Sequence, residues 1–294
     1  MISETFESVS RDEISQLRYI DWHDKFNHEK PYVAYNDGQE KAPTTNFTYE
    51  DQHEEIIRDI RGSNTGFNLD DHGFAAREHR LLNSAFDKQT VEENYLSSVK
   101  ELLREEFGPE ATCYIFDWRL RSSSERKQLS DLDARDEAGD SSQFHAPVNG
   151  VHVDTSEAMA RMHAAMFAQG QQKDLSASRL RVVNVWRPLL NTVEEYPLAL
   201  CDGSTVHPDD LVASDLIVDS YRGENLQPLY RNYYKWHFLS NQTKDEVLLI
   251  KMYDSSSSVK AKCCPHTSLK LKNAPTPAMP RESIEVRIIV FTDT

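Results

Sequence analysis

Hydrophobic positions recur along this chain at two different spacings, and each predicts a different kind of element. Between residues 91 and 107, Val91, Tyr95, Val99, Leu102, Leu103 and Phe107 lie three or four apart, the spacing of an amphipathic helix, and Gly108-Pro109 supplies its stop. Residues 157–169 repeat that spacing with Met159, Met162, Met166 and Phe167, predicting a second helix whose methionine stripe packs into the core. The other apolar runs are short and rich in β-branched and aromatic residues. They fall at 112–118, 180–187, 215–221, 246–253 and 283–291, with Pro, Gly, Asn and Ser turns between them and a short helix or turn near 208–212. Several β-runs at fairly regular intervals predict an antiparallel barrel or double sheet with helices on its outside.

The stretches between these elements suggest the organisation. Residues 1–60 mix polar turns with short apolar pieces and are expected to form an N-terminal arm wrapped on a core spanning 61–294. Residues 122–143 are rich in Ser and acidic side chains, with few large apolar ones; this reads as a mobile surface loop, either a solvated insertion or a lid. Of the 294 residues, 38% are hydrophobic and 10% aromatic, enough for one sizeable core, and a single domain is expected.

Composition then excludes whole classes of function. No run of about 18 apolar residues exists, so no membrane span is expected, and the acidic, polar start of the chain fits neither a secretory signal nor a transit peptide. The four cysteines (Cys113, Cys201, Cys263, Cys264) form no C-x-x-C pair and no disulfide framework, so reduced thiols and a cytoplasmic location are expected. Net charge is −15 with no basic stripe, which argues against nucleic acid as a partner. That charge is uneven: residues 1–150 hold 31 acidic and 17 basic side chains, and residues 151–294 hold 17 and 16. A near-neutral second half suits a site that admits an anionic ligand.

The sharpest chemical signal lies in that second half. On an extended strand, His152 and Asp154 of Val151-His-Val-Asp154 point to one face because side chains alternate with period two. An imidazole and a carboxylate so placed can share a metal, and one further histidine completes the 2-His-1-carboxylate triad that holds Fe(II) and leaves positions open. His266, in Pro265-His-Thr267, lies 112 residues after Asp154, and Arg281 and Ser283 follow on one face of the last strand-like run. A guanidinium fork beside a hydroxyl suits a carboxylate. Together, triad and fork suit 2-oxoglutarate, which chelates iron at one end and meets the guanidinium at the other.

The chain resembles the fungal and bacterial iron/2-oxoglutarate oxygenase group that includes gibberellin desaturases, aspergillic-acid-type hydroxylases, an endoperoxide-forming enzyme and the cephamycin methoxylation component. The resemblance rests on Asp59-Ile-Arg61, Asp70-Asp-His-Gly-Phe74, Val151-His-Val-Asp154, Asn184-Val-Trp-Arg-Pro-Leu189, Asp245 through Ser255, Pro265-His-Thr267 and Arg281 through Arg287, and it spans residues 31–294. It implies a distorted double-stranded β-helix (jelly roll), mainly β with flanking helices. It also implies Fe(II) held by His152, Asp154 and His266, with Arg281 and Ser283 binding 2-oxoglutarate, and O2 as co-reactant. The implied reaction is oxidation of an unactivated C–H bond of a small specialised metabolite by hydroxylation, desaturation or ring closure. Expected partners are a small-molecule substrate and a second copy of the chain in a homodimer.

Other assignments stay open in the sequence. Arg287 shares the strand face of Arg281, and Arg187 lies on another strand-like run, so either competes as the carboxylate clamp, with a structural ion pair as the alternative for Arg187. His237, among aromatic residues, is the rival to His266, with wall packing as its alternative. His72 reads as a hydrogen-bonding residue in a turn, His145 as a surface-loop residue, and Asp59 with Arg61 as a structural pair. Phe116, Trp118, Trp186, Tyr233 and Trp236 are candidates for either pocket wall or core. A jelly-roll metalloenzyme that does not use 2-oxoglutarate, and a non-catalytic companion or binding subunit, are the alternative functional readings.

Overall fold

In this computed structural model the described residues are 11–35, 44–82, 85–132, 143–172, 174–175, 177–218 and 221–293. The element that organises them is the final strand, β15 (Glu282–Thr292), which alternates Ile284, Val286, Ile288 and Val290 on one side with Ser283, Glu285, Arg287, Ile289 and Phe291 on the other. The first set is fully buried. The second set is polar at its start and apolar at its end, so one sheet face carries both a polar site and a hydrophobic core.

β15 sits inside a six-stranded sheet with the order β5 (Phe74–Glu78), β13 (Glu246–Asp254), β8 (Arg179–Pro188), β15, β6 (Thr112–Ser122) and β7 (Phe144–His145). A helix covers the valine side: Lys88–Thr90 (α1) continues through a π-turn at Val91–Tyr95 into α2 (Leu96–Phe107). It packs Val99, Leu102 and Leu103 against Val183, Val185 and Val286. Asp87 caps its start by accepting from the Thr90 N–H, and Gly108, at φ 103°, ends it.

The opposite side is closed by a five-stranded sheet, β1 (Glu13–Ile20), β4 (Tyr49–Asp59), β12 (Trp236–Phe238), β9 (Leu198–Cys201) and β14 (His266–Ser268), and a four-stranded sheet, β11 (Tyr221–Pro228), β10 (Leu211–Val218), β2 (Tyr32–Tyr35) and β3 (Thr44–Thr45). This is the curled, mostly antiparallel jelly roll that the resemblance implied. Two strands of the expected N-terminal arm, β1 and β4, belong to the five-stranded sheet by hydrogen bonding.

Several expectations change in detail. The strand expected at 215–221 is a hairpin, β10 and β11, and Tyr221 opens its second arm. Within the span read as an acidic loop, Glu125–Leu132 forms a helix, α3; residues 133–142 lie outside the described residues. The second predicted helix is α4 (Glu157–Gln171), capped by Ser156, whose hydroxyl accepts from the Met159 N–H. Its methionine stripe does not fill the core: Met162 is 41% and Met166 62% exposed. Ala160 and Ala164 take the buried positions, because small side chains let the helix approach the sheet closely, and Phe167 stacks on Tyr114 at 4.5 Å.

Candidate active site

The segment 150–153 crosses the mouth between the two smaller sheets. Gly150 bridges Arg18 of β1, His152 bridges His266 of β14, and Val153 bridges Leu226 of β11. A Cβ at Gly150 would lie 2.5 Å from the tip of the Tyr49 ring, so a larger residue here would require that ring to move. His152 and His266 are direct cross-strand neighbours: each backbone N–H donates to the other's carbonyl, at 3.1 and 2.9 Å. Their rings lie 4.5 Å apart, and Asp154 follows two residues after His152.

Each imidazole is oriented from behind. His152 Nδ1 lies 2.8 Å from the Gly150 carbonyl oxygen, and His266 Nδ1 lies 3.3 Å from that of Cys264. With Nδ1–H donating to a carbonyl, Nε2 presents its lone pair. The two Nε2 atoms face Asp154 Oδ1 and Oδ2 at 3.5 and 3.6 Å, and one ligand atom from each residue lies within 4.8 Å of the others. Three acceptors thus converge with no donor between them, an arrangement that a bound cation resolves, and the His/His/carboxylate donor set fits Fe(II).

Asp154 is also held from outside, by Asn184 Nδ2 donating to Oδ2 at 2.6 Å and Arg287 donating to Oδ1 at 3.0 Å. Burial alone would raise the Asp154 carboxyl, but the Arg287 guanidinium outweighs it and holds the group well below the usual carboxylate range. Burial, with His152 adjacent, pushes the His266 imidazole down to about 3, so it stays neutral at working pH.

Two cavities meet at Asp154. The inner one is lined by His152, Asp154, His266, Trp186, Arg121, Arg281 and Glu285, among others. Arg281 is buried there, with Nη1 donating to the Tyr196 carbonyl at 2.9 Å and to Ser268 Oγ at 3.3 Å. Its Nε and Nη2, and the Ser283 hydroxyl, have no hydrogen-bond partner among the described residues. Burial, reinforced by Arg121, lowers the Arg281 pKa to about 9, a cost that an incoming carboxylate relieves. The outer cleft has a volume of about 420 Å³ and runs between β6, α4 and the β10–β11 hairpin, with Phe116, Met159, His163, Leu216, Val218 and Tyr221 on its walls. Phe116 and His163 stack at 4.7 Å.

The rival residues lie elsewhere. Arg287 is surrounded by Asp154, Glu285 and Asp117. Arg187 is on the opposite face of β8, over the Tyr95 ring, donating to His79 rather than joining an ion pair. His237 packs between Phe67 and Phe74, and burial takes its pKa down to about 4. His72 Nδ1 accepts from the Asn68 N–H, and His145 is exposed. Arg61 forms its ion pair with Glu246, not Asp59; Asp59 accepts from the backbone N–H groups of Arg61 and Ser240. Trp118 and Trp236 are core, Trp186 lines the inner cavity, and Tyr233 is exposed.

Sequence reasoning named Phe116 of β6 as a candidate pocket wall, which it is, but missed the polar contribution of that strand. Its register against β15 slips at Phe116, which is left without a partner between Ile115 and Asp117. This β-bulge brings both Phe116 and Asp117 to the cleft and sends Asp117, Arg119 and Arg121 to the site side. The alternating Asp117-Trp-Arg119-Leu-Arg121 was the available signal. The acidic first half therefore supplies walls of both cavities.

The chain matches the model of the Oxidoreductase/YMDC permease-like domain over residues 17–291. It is 31% identical to the hydroxylase/desaturase efuI of Hormonema carpetanum, over 80% of this chain and 82% of that one. It is 30% identical to the Fe(II)/2-oxoglutarate-dependent dioxygenase nvfI of Aspergillus novofumigatus, over 81% and 83%. Among solved structures, a variant of the iron and alpha-ketoglutarate-dependent endoperoxidase NvfI superimposes with a TM-score of 0.78 at 29% identity, covering 96% of this chain and 98% of that one.

Proposed function

The chain belongs to the family of Fe(II)/2-oxoglutarate-dependent hydroxylases, desaturases and endoperoxidases, and from that premise we propose that His152, Asp154 and His266 hold its iron, with Arg281 and Ser283 receiving the far carboxylate of 2-oxoglutarate. The enzyme is an oxygenase of specialised metabolism, and its substrate is a small molecule oxidised at an unactivated C–H bond. The observation that carries the site assignment is the convergence of three unopposed acceptors beside a buried guanidinium with two unpartnered N–H groups.

Bound there, Fe(II) and 2-oxoglutarate would supply the activation of O2. The protein's part is placement and shielding. Carbonyl-tethered Nδ1 atoms keep both imidazoles in the tautomer that offers Nε2. Arg281 orients the cosubstrate by a charge-assisted fork in a site where burial strengthens the contact. The outer cleft meets the inner cavity at Asp154, so a substrate on its Phe116, Met159 and Leu216 walls presents a C–H bond beside the metal position. The aromatic pair Phe116–His163 helps keep water from that junction.

The test is Fe(II)- and O2-dependent conversion of 2-oxoglutarate to succinate by the purified chain, stimulated by candidate metabolites. His152→Ala and Asp154→Ala are expected to abolish it; turnover unaffected by either change would remove the assignment. A homodimer is the proposed assembly, tested by light-scattering mass. A cytoplasmic location is proposed on the four free thiols, three of them buried. Among the described residues, no helix is long and apolar enough to cross a membrane.

A further inference from the structure

Arg287 stands where the two cavities meet. Its guanidinium donates through Nη2 to Asp154 Oδ1 at 3.0 Å, through Nε to Glu285 Oε1 at 2.9 Å and through Nη1 to Asp117 Oδ2 at 3.3 Å. Those three carboxylates face different places: Asp154 the converging acceptors, Glu285 the inner cavity, Asp117 the outer cleft. With each of its nitrogens engaged, the fork has no free edge for a cosubstrate carboxylate, unlike Arg281.

The geometry at Asp154 is closed from behind on both oxygens. Arg287 holds Oδ1, and Asn184 holds Oδ2 at 2.6 Å. The two donors are register partners on β15 and β8, so sheet pairing sets their spacing. A carboxylate has about four lone-pair directions. With one taken on each oxygen, the direction left on each faces an imidazole Nε2, at 3.5 and 3.6 Å. Rotating the carboxylate would break a charge-assisted bond to one donor or the other.

We propose that Arg287 is a positioning residue: together with Asn184 it fixes the plane of the Asp154 carboxylate for the metal, and through Glu285 and Asp117 it ties that plane to the walls of both cavities. This rests on the iron site proposed above. A purely structural Arg287 would neutralise buried carboxylates and affect stability alone, whereas a positioning residue also sets metal affinity and ligand-field geometry.

The experiment is anaerobic titration of the full chain with Fe(II), and with Co(II) as a visible-absorption probe of coordination. It is run on the parent, Arg287→Gln, Arg287→Lys and Asn184→Ala, with a melting curve for each. Arg287→Gln is expected to weaken Fe(II) binding by about 10- to 100-fold and to change the Co(II) spectrum. Arg287→Lys keeps the charge but not the planar fork, so part of the affinity returns while the spectrum stays altered. Asn184→Ala, with Arg287 intact, is expected to alter the spectrum as well. If Arg287→Gln does not fold, Arg287→Lys and Asn184→Ala decide the question. Variants that melt lower but bind Fe(II) as the parent does, with its Co(II) spectrum, overturn the proposal and leave a structural arginine. A parent that takes up no Fe(II) overturns the iron site and this assignment together.

Discussion

Two of the places where this protein buries charged groups do so in opposite ways. In the first, Lys251 of β13 is fully buried, yet its ammonium donates to Asp254 at 2.5 Å, Asp70 at 3.1 Å and the Ala261 carbonyl at 3.3 Å. Arg179 closes the same cluster by pairing with both aspartates at 2.6 Å. Lys251 and Arg179 each have both carboxylates within 3.1 Å. In the second region, His152, Asp154 and His266 aim acceptors at one point, while Arg281 and Ser283 keep donors without partners among the described residues. Burying a polar group without a partner costs about 1–3 kcal/mol. Where such donors line the same cavity as converging acceptors, a ligand that supplies both a cation and a carboxylate relieves that cost. The first region is a brace; the second, on the proposed assignment, is a receptor.

The largest effect expected from this contrast is at Asp154. Asp154→Ala should lose Fe(II) retention and bring 2-oxoglutarate turnover to background even in its folded fraction; metal analysis and succinate assay check both. The brace should answer in reverse. Lys251→Met removes the buried ammonium and leaves Asp254 to Arg179 alone, which is expected to cost about 3 kcal/mol in chemical denaturation, with the Fe(II) content of the folded fraction preserved. Loss of iron without loss of stability there would erase the distinction between the regions. Arg281→Ala comes next: it should weaken 2-oxoglutarate binding by about 2–5 kcal/mol while sparing Fe(II). It should also abolish the thermal shift that saturating 2-oxoglutarate gives the parent, about 2.7 kcal/mol at a hundred times the dissociation constant.

The smallest effect is a pH dependence. Burial would raise the Asp254 carboxyl, but Arg179 and Lys251 outweigh it, and Asp70 is lowered in the same way. Carboxyls lowered in the folded state add stability above the unfolded value near about 3.9, and that stability is lost as pH falls through the folded value. Melting temperature should therefore fall with acid below that range, and Asp254→Asn should flatten the fall. An unchanged slope would mean that these ion pairs add nothing to stability.

Much of this was legible because it depends on local period. Alternation along 283–291 revealed a strand, and the same rule put His152 and Asp154 on one side. The distant His266 came from resemblance, since no local pattern brings residues 112 positions apart together; cross-strand pairing does that. The methionine stripe misled because helical spacing marks a face without saying what covers it, and Ala160 and Ala164 hold the contact instead. Asp117, Arg119 and Arg121 were missed because the bulge at Phe116 swaps the faces of β6, and period two carries no sign of a slipped register. Arg287 and Arg281 look alike along the strand. What separates them is which acceptors stand opposite, Asp117 and Asp154 for one and an open cavity for the other.

The central claim is that the unmatched region is a receptor for Fe(II) and 2-oxoglutarate together. The most direct measurement is an anaerobic titration of the Fe(II)-loaded protein with 2-oxoglutarate, followed by visible absorption, in the parent and in Arg281→Ala. The account predicts a weak charge-transfer band that saturates in the parent and requires far more 2-oxoglutarate in the variant. Iron demonstrably bound, with no band in the parent at any concentration, would contradict it.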